Sequence, residues 1–330
     1  MTTPRLSQIF NARRRSLLAL ALMAPLAPAM AQSWPGKPVK IVTAFAAGSA
    51  SDIIARLLAQ ELQTEYQQPF IVENKPGASG FIAAEFVAKS PADGYTYLLS
   101  TNTINSGNPH LFKKLPYEPL KDFTPIARIC NFLFILAVPA DQPFKNIEDL
   151  KAFAKANPGK VNFGYGNSTG QIAGAAFNSL VGLNATAVPY KSSPQAITAL
   201  VSNEITYLFT DLASSQALLK GGRIRALAIT TEAKSRLAPD LPTVAASANL
   251  PGFDLAAWVG LLGPANLPAD ITSKLSTSIN RIITRKDVVE KLTSMGADVN
   301  PGTSAELQAY MAQQFVAWRD KVKAAGIQPE

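Results

Sequence analysis

Three short segments of the chain combine glycine with side chains that can hydrogen-bond, and each directly follows a predicted strand. They span residues 45–52, 100–108 and 164–170. Ligands of open α/β sheets bind at the carboxyl ends of strands, where loops meet helix N-termini. The N–H groups of a helix start favour an anion. The third segment does not end in Gly-Lys-Ser/Thr, which disfavours a nucleoside triphosphate. The segments therefore predict a site for a small anion.

Each segment also has a simpler interpretation. In the first, Ser51 is a natural N-cap, and Asp52 then lies favourably in the first helical turn. In the second, seven of the nine side chains can hydrogen-bond, which is equally typical of a solvated surface turn. Two further features follow predicted strands: Tyr190 and Lys191 supply a phenol and a cation, and Asp211 supplies a carboxylate. A solvated lysine and a helix-capping aspartate are the alternatives there.

Composition disfavours several common kinds of site. The chain has 330 residues with one histidine and one cysteine, so a Ser-His-Asp triad, a histidine or thiolate metal site and a disulfide framework are all hard to build. Hydrophobic residues make up 47% and charged residues 16%, which excludes intrinsic disorder. We expect neither a cofactor nor a metal.

The N-terminal region reads as a targeting signal. Arginines at 13–15 precede a short apolar stretch over 16–23, and Ala29-Met30-Ala31 forms a small-residue cleavage site. This pattern predicts a cleavable signal peptide over 1–31 and a periplasmic location; an uncleaved anchor and twin-arginine export are the alternatives. Half of the formal net charge of +8 lies in this region, so the rest is ordinary in charge and nucleic-acid binding is not expected.

The elements that must position these segments alternate between strand and helix. Predicted strands cover 37–45, 70–72, 95–100, one or two within 123–138, 161–164, 185–189, 205–209, 224–230 and a stretch after Ala256. Predicted helices cover 51–66, 81–89, 147–156, 171–181, 194–201, 213–220, 269–284, 286–295 and 304–324. This alternation is typical of βαβ units and largely parallel sheets.

The pattern predicts an α/β fold of two lobes joined by two crossing strands. The first block has few strands, and the C-terminal helices need a sheet to pack on. We therefore expect the chain to leave the first lobe near 132 and return near 256. That assigns 32–132 and 256–330 to lobe 1 and 133–255 to lobe 2, with a cleft between them.

Several blocks of the sequence, in order, match one family pattern. They are FAAGSASDIIAR from Phe45, VENKPGASG from Val72, PADGYTYLL, LPYEPLKDF, VPYKS, GGRIRALAITT and LPTVAASANLPGF. The chain thereby resembles the Bug family of periplasmic substrate-binding proteins of tripartite tricarboxylate transporters. It departs from the family pattern at Ala47 and Ser49, where the family usually has Pro and Gly. Ser49 adds a hydroxyl beside the expected anion.

The resemblance implies a type II periplasmic binding protein fold, the Venus flytrap, without catalysis. It implies capture of a small carboxylated molecule for delivery to membrane permease subunits. We expect the chain to be a monomer. The ligand-binding residues it implies are Phe45, Gly48, Ser49, Ser51 and a supporting Asp52; Asn102, Thr103 and Asn105; and, from the second lobe, Ser168, Thr169, Tyr190 and Asp211.

Two other functions stay open at this point. The chain could serve a signalling receptor as a ligand-dependent sensor partner, which the sequence does not separate from transport. It could also be a small-acid enzyme with Asp211 and Tyr190 as acid and base, although no nucleophile–base pair is evident.

Overall fold

The computed structural model describes residues 34–330. The predicted signal peptide over 1–31 lies outside the described residues. Within them, no helix is long and apolar enough to span a bilayer.

Eleven strands and eleven α-helices make up the described chain. The strands are β1 (Val39–Thr43), β2 (Phe70–Asn74), β3 (Thr96–Thr101), β4 (Phe123–Phe132), β5 (Phe134–Pro139), β6 (Asn162–Tyr165), β7 (Thr186–Pro189), β8 (Tyr207–Asp211), β9 (Ile224–Ile229), β10 (Ala257–Pro264) and β11 (Ala297–Gly302). The helices are α1 (Ala50–Tyr66), α2 (Phe81–Ala88), α3 (Asn108–Leu111), α4 (Ile147–Ala156), α5 (Ser168–Val181), α6 (Ser193–Val201), α7 (Leu212–Lys220), α8 (Val244–Ser247), α9 (Ala269–Ile283), α10 (Lys286–Ser294) and α11 (Ser304–Ala324).

The strands form two sheets. The six-stranded sheet has the order β11-β4-β10-β3-β1-β2, and the five-stranded sheet has the order β7-β6-β8-β5-β9. The prediction of an α/β fold with two sheets is confirmed. The prediction of largely parallel sheets is wrong. β1 pairs in parallel with β2 and β3, and β6 with β7 and β8, but β4, β5, β9, β10 and β11 pair with other strands only in antiparallel orientation.

Most of these antiparallel strands carry the chain between the sheets or follow its return. Only Leu133 separates the end of β4 from the start of β5. On the return, Leu255 N–H donates to the Thr230 carbonyl at 3.0 Å, and β10 begins two residues later. A connection that passes from one sheet to the other does not need the right-handed helical crossover of a βαβ unit. The strands at its ends can therefore pair antiparallel with their neighbours. The two crossing segments that were predicted are present.

Each sheet is covered by apolar helix faces. In α1, Ile54, Leu58 and Leu62 recur at helical spacing and are buried, as an amphipathic helix on a sheet requires. In the five-stranded sheet, the ring of Tyr207 stacks on Phe163 at 5.5 Å and meets Phe177 edge-on. These aromatic contacts make a dense core against the five-stranded sheet.

Helix α11 contributes to both cores. Leu307 and Met311 pack with residues of the six-stranded sheet. Trp318 and Val322, further along the same helix, pack with residues of the five-stranded sheet. The assignment of 256–330 to one lobe stays a prediction, and α11 supplies a third link between the two halves.

Candidate ligand-binding site

A small pocket lies where the two sheets face each other beside the first crossing segment. Its volume is about 30 Å³. We call it the inner pocket, and it is lined by Phe45, Ser49, Ala50, Ser51, Thr101, Asn102, Thr103, Phe132, Phe134, Asn167, Thr169, Ser193, Asp211 and Ala257. The loops after β1, β3, β6 and β8 all reach it, so the carboxyl ends of four strands converge there.

The N-terminus of α1 forms one wall of the inner pocket. The first N–H groups of a helix have no partner within the helix. Here the Ala50 N–H donates to Ser214 Oγ at 3.1 Å, and the Asp52 N–H donates to Ser49 Oγ at 3.3 Å. Ser49 is therefore the N-cap, and the alternative interpretation of Ser51 as the N-cap is wrong. Within residues 34–330 the Ser51 N–H has no acceptor, which leaves it available to an anion.

Asp52 fixes the loop that carries this wall. Its carboxylate accepts from the Gly48 N–H at 3.0 Å, from Arg56 Nε at 3.0 Å and from Asn74 Nδ2 at 2.8 Å. Asn74 Nδ2 also donates to the Phe45 carbonyl. Burial raises the pKa of Asp52, but the hydrogen bonds and the charge of Arg56 outweigh it, so the pKa lies below 3.8. Asp52 is thus an ionised positioning residue.

The loop after β3 adds buried polar side chains, with different roles. Asn102 Nδ2 donates to Thr169 Oγ1 of the other half at 2.7 Å, whereas its Oδ1 is buried with no partner. Asn105 is turned to its own loop, where it accepts from Ser100 and donates to the Pro119 carbonyl. Asn102 can therefore serve a ligand, while both ends of the Asn105 amide are already used.

The second wall is built by helix starts of the five-stranded sheet. Asn167 caps α5, accepting from the Gly170 N–H and donating to Ser193 Oγ at 2.9 Å. Asp211 caps α7 and accepts from the Ser214 N–H at 2.7 Å. Burial raises the pKa of Asp211, and the hydrogen bonds from Ser214 offset this only in part. No lysine or arginine lines the inner pocket among the described residues.

A larger cavity adjoins the inner pocket. Its volume is about 330 Å³. We call it the outer cavity, and it is lined by Ala44, Phe45, Gly77, Ser79, Gly80, Phe112, Tyr165, Gly166, Asn167, Ser168, Gln171, Pro189, Tyr190, Lys191 and Glu330. Phe45 and Asn167 line both spaces, so the two are neighbours.

Most of the residues implied by the family resemblance meet at these two spaces. Phe45, Ser49, Ser51, Asn102, Thr103, Thr169 and Asp211 line the inner pocket, and Ser168 and Tyr190 line the outer cavity. Gly48, Asp52 and Asn105 line neither. Their role as ligand contacts stays a prediction, and the geometry of Asp52 and Asn105 is that of residues which hold loops.

Other lining residues were not predicted. Asn167 lies inside the predicted segment 164–170 but was not chosen as a ligand contact, and Ser193 directly follows the VPYKS block. The turn chemistry at Asn167-Ser168 and Ser192-Ser193-Pro194 was the available signal. Phe132, Phe134 and Phe112 sit in apolar or mixed stretches whose pattern indicates only core. Among residues 34–330, no cluster of three or more His, Cys, Asp or Glu could hold a metal ion.

Residues 54–327 match the model of the tripartite tricarboxylate transporter family receptor, TctC. The match spans most of the chain, and the chain belongs to this family of solute-binding receptors. The resemblance to Bug proteins and the expectation of a two-lobed periplasmic binding protein fold are confirmed.

Three solved structures show the same fold over nearly all of the chain. The R. palustris protein Rpa4515 with adipate is 33% identical, with a TM-score of 0.86 over 90% of this chain and 100% of that one. The periplasmic binding protein BugD is 28% identical, with a TM-score of 0.84 over 90% and 100%. MatC from Rhodopseudomonas palustris with bound malate is 30% identical, with a TM-score of 0.82 over 88% and 100%.

Proposed function

We propose that this chain is a periplasmic receptor that captures a small carboxylated molecule between its two sheets and delivers it to the membrane permease of a tripartite tricarboxylate transporter. The relatives support this: two structures of the same fold were solved with adipate and with malate, which are dicarboxylates. Periplasmic export is further supported by the signal-peptide pattern over 1–31.

One observation carries the proposal for this chain. The α1 N-terminus presents the Ser51 N–H without an acceptor in residues 34–330, beside the Ser51 and Thr103 side chains in the same pocket. A helix N-terminus attracts negative charge through its dipole and its free N–H groups. With no cation lining the inner pocket among the described residues, a carboxylate would be held by dipoles and hydroxyls rather than by a bidentate salt bridge.

Because the inner pocket has one wall from each half of the molecule, ligand binding there would favour closure of the cleft. A ligand shifts a conformational equilibrium only by binding one state better than the other. Ser51 comes from one half, and Thr169 and Asp211 come from the other. A ligand that contacts both sets favours the closed form, and that form is what a permease would recognise.

A thermal-shift screen of the mature chain against carboxylates tests the proposal. The set includes malate, adipate and benzoate, with glucose and putrescine as uncharged and cationic controls. A ligand at 100 times its Kd stabilises the fold by about 2.7 kcal/mol, which is readily seen as a rise in Tm. Ser51→Ala should reduce the rise for every acid. Melting that no acid shifts, or that shifts only with the sugar or the amine, would contradict the proposal.

A further inference from the structure

The two spaces of the site differ in size and in lining. The inner pocket, at about 30 Å³, has room for about two water molecules at ~10–15 Å³ each. It can take the end of a molecule, such as one carboxylate group, but not the whole of even a short acid. The outer cavity of about 330 Å³ shares Phe45 and Asn167 with the inner pocket, so it is the neighbouring space that would hold the rest of such a ligand.

Aromatic rings from both halves line the outer cavity. Phe45 and Phe112 come from one half, and Tyr165 and Tyr190 come from the other. These four rings are the aromatic part of a lining that also includes polar and charged side chains. Rings prefer offset or edge-on contacts with other rings, worth about 0.5–1.5 kcal/mol beyond the area they bury.

These walls are held in place by their neighbours. Tyr190 N–H donates to the Tyr165 carbonyl at 2.8 Å, and its ring lies so close to Gly164 that a Cβ there would meet it at 3.1 Å. The ring of Phe112 is edge-on to Phe81, with centroids 4.8 Å apart. A rigid ligand loses less conformational entropy than a flexible chain when it binds between side chains that are already held in place.

We infer that the preferred ligand is an aromatic carboxylate, with its carboxylate in the inner pocket and its ring between the aromatic walls of the outer cavity. The inference rests on the proposed function and names the substrate class. An apolar cavity of about 150 Å³ holds benzene, so the outer cavity accommodates a ring with one or two polar substituents. Gln171 and Lys191 also line it and offer hydrogen bonds to such substituents.

Calorimetry with matched acids tests the inference. The probes are benzoate and 4-hydroxybenzoate as aromatic acids, and hexanoate and adipate as flexible acids of comparable length. We expect the aromatic acids to bind at least tenfold more tightly. Tyr190→Leu and Phe112→Leu keep the apolar character but remove a ring, so each should weaken the aromatic acids about 2- to 12-fold and change the flexible acids less than twofold.

Two controls keep the outcomes distinct. Phe86→Leu removes a surface ring on α2 that lines neither space and should leave every affinity unchanged. Ser51→Ala should weaken both classes of acid by the same factor. If flexible acids bind as tightly as aromatic ones, or if the ring variants weaken both classes equally, the inference is wrong and the proposed function stands. If no acid binds, the proposed function fails and the inference falls with it.

Discussion

Two aspartates at helix starts, one in each wall of the inner pocket region, behave in opposite ways. Asp52 lies in the first turn of α1 and Asp211 caps α7, and each residue is only 3% exposed to solvent. Asp211 nevertheless lies deeper among protein atoms than Asp52, so burial raises its pKa more strongly. Asp52 has Arg56 at 2.9 Å, which lowers its pKa overall, whereas the pKa of Asp211 is raised because its bonds to Ser214 do not offset burial.

The comparison shows how one residue type serves two purposes in an anion site. An ionised Asp52, neutralised by Arg56, can brace the loop without repelling a carboxylate nearby, because its charge is compensated. An unpaired charge on Asp211 would face the ligand across the inner pocket, and burial favours the neutral form of this carboxyl. The first wall is thus held by the Asp52–Arg56 salt bridge. The second is held by the helix cap of Asp211, whose carboxyl is biased towards its neutral form by burial.

The largest expected effect is the loss of unfolding free energy when the hydrogen bonds that hold the first wall are removed. Asp52→Ala leaves Arg56, Asn74 and the Gly48 N–H without their shared acceptor. Leaving buried hydrogen-bonding groups without their partner costs about 1–3 kcal/mol, and we expect about 2 kcal/mol here because Arg56 is half exposed. Urea unfolding measures the change in unfolding free energy. Asp320→Ala, on an exposed pair with Arg319, is the matched control and should change it by less than about 1 kcal/mol.

The pH dependence of stability sharpens the comparison, since the two aspartates should contribute with opposite sign. The folded pKa of Asp52 lies below 3.8, so its contribution is present above 3.8 and is lost as the pH falls through the folded value. The folded pKa of Asp211 lies above 3.8, so its contribution is present below 3.8 and is lost as the pH rises through the folded value.

Unfolding free energies across pH 3 to 8 for the wild type, Asp52→Asn and Asp211→Asn check these signs. Asn retains a capping oxygen, so the helix start at 211 is preserved. Asp211→Asn should gain stability relative to the wild type as the pH rises, and Asp52→Asn should lose it. Parallel curves for all three proteins would show that neither carboxyl titrates differently on folding.

Much of the fold follows from residue patterns, for reasons visible in single elements. Helix α4 carries Ile147, Leu150 and Ala154 on its buried face, and its predicted bounds of 147–156 are those observed. Strand β11 was missed because its sequence, ADVNPG, has neither alternating hydrophobicity nor β-branched density; only pairing with β4 makes it a strand. Long-range pairing of this kind is invisible to a local pattern.

The site was predictable in its loops but not in the roles within them. The segments at 45–52, 100–108 and 164–170 all reach the two spaces, because the carboxyl ends of neighbouring strands must meet. Whether an asparagine in such a loop faces a ligand depends on its partners. Asn105 hydrogen-bonds to Ser100 and to the Pro119 carbonyl within its own half, while Asn102 hydrogen-bonds to Thr169 across the cleft. Aromatic walls such as Phe112 come from segments whose pattern predicts only core.

A smaller effect is expected where the two walls touch directly. The Asn102–Thr169 hydrogen bond joins the loop after β3 to the start of α5 at 2.7 Å. Thr169→Val keeps the side-chain shape but removes the acceptor and leaves the Asn102 amide unpaired in a buried position. We expect about a fivefold weaker ligand affinity, equivalent to ~1 kcal/mol for one neutral hydrogen bond. Calorimetry with the best acid of the screen measures it, and Thr198→Val on the surface of α6 is the control.

The smallest expected effect concerns the second contact between the walls. Ser214 Oγ accepts from the Ala50 N–H at 3.1 Å, and the same residue donates its N–H to Asp211. This contact holds the α1 and α7 starts together and uses an N–H that would otherwise be free for an anion. Ser214→Ala removes one bond between the halves, worth about 0.5–1 kcal/mol because Ser214 is only half-buried, and frees that N–H. Small-angle scattering should show a slightly larger radius of gyration without ligand, and a normal radius once a carboxylate is bound, because the anion then links the walls. A variant that is as compact as wild type without ligand would show that this contact does not favour closure.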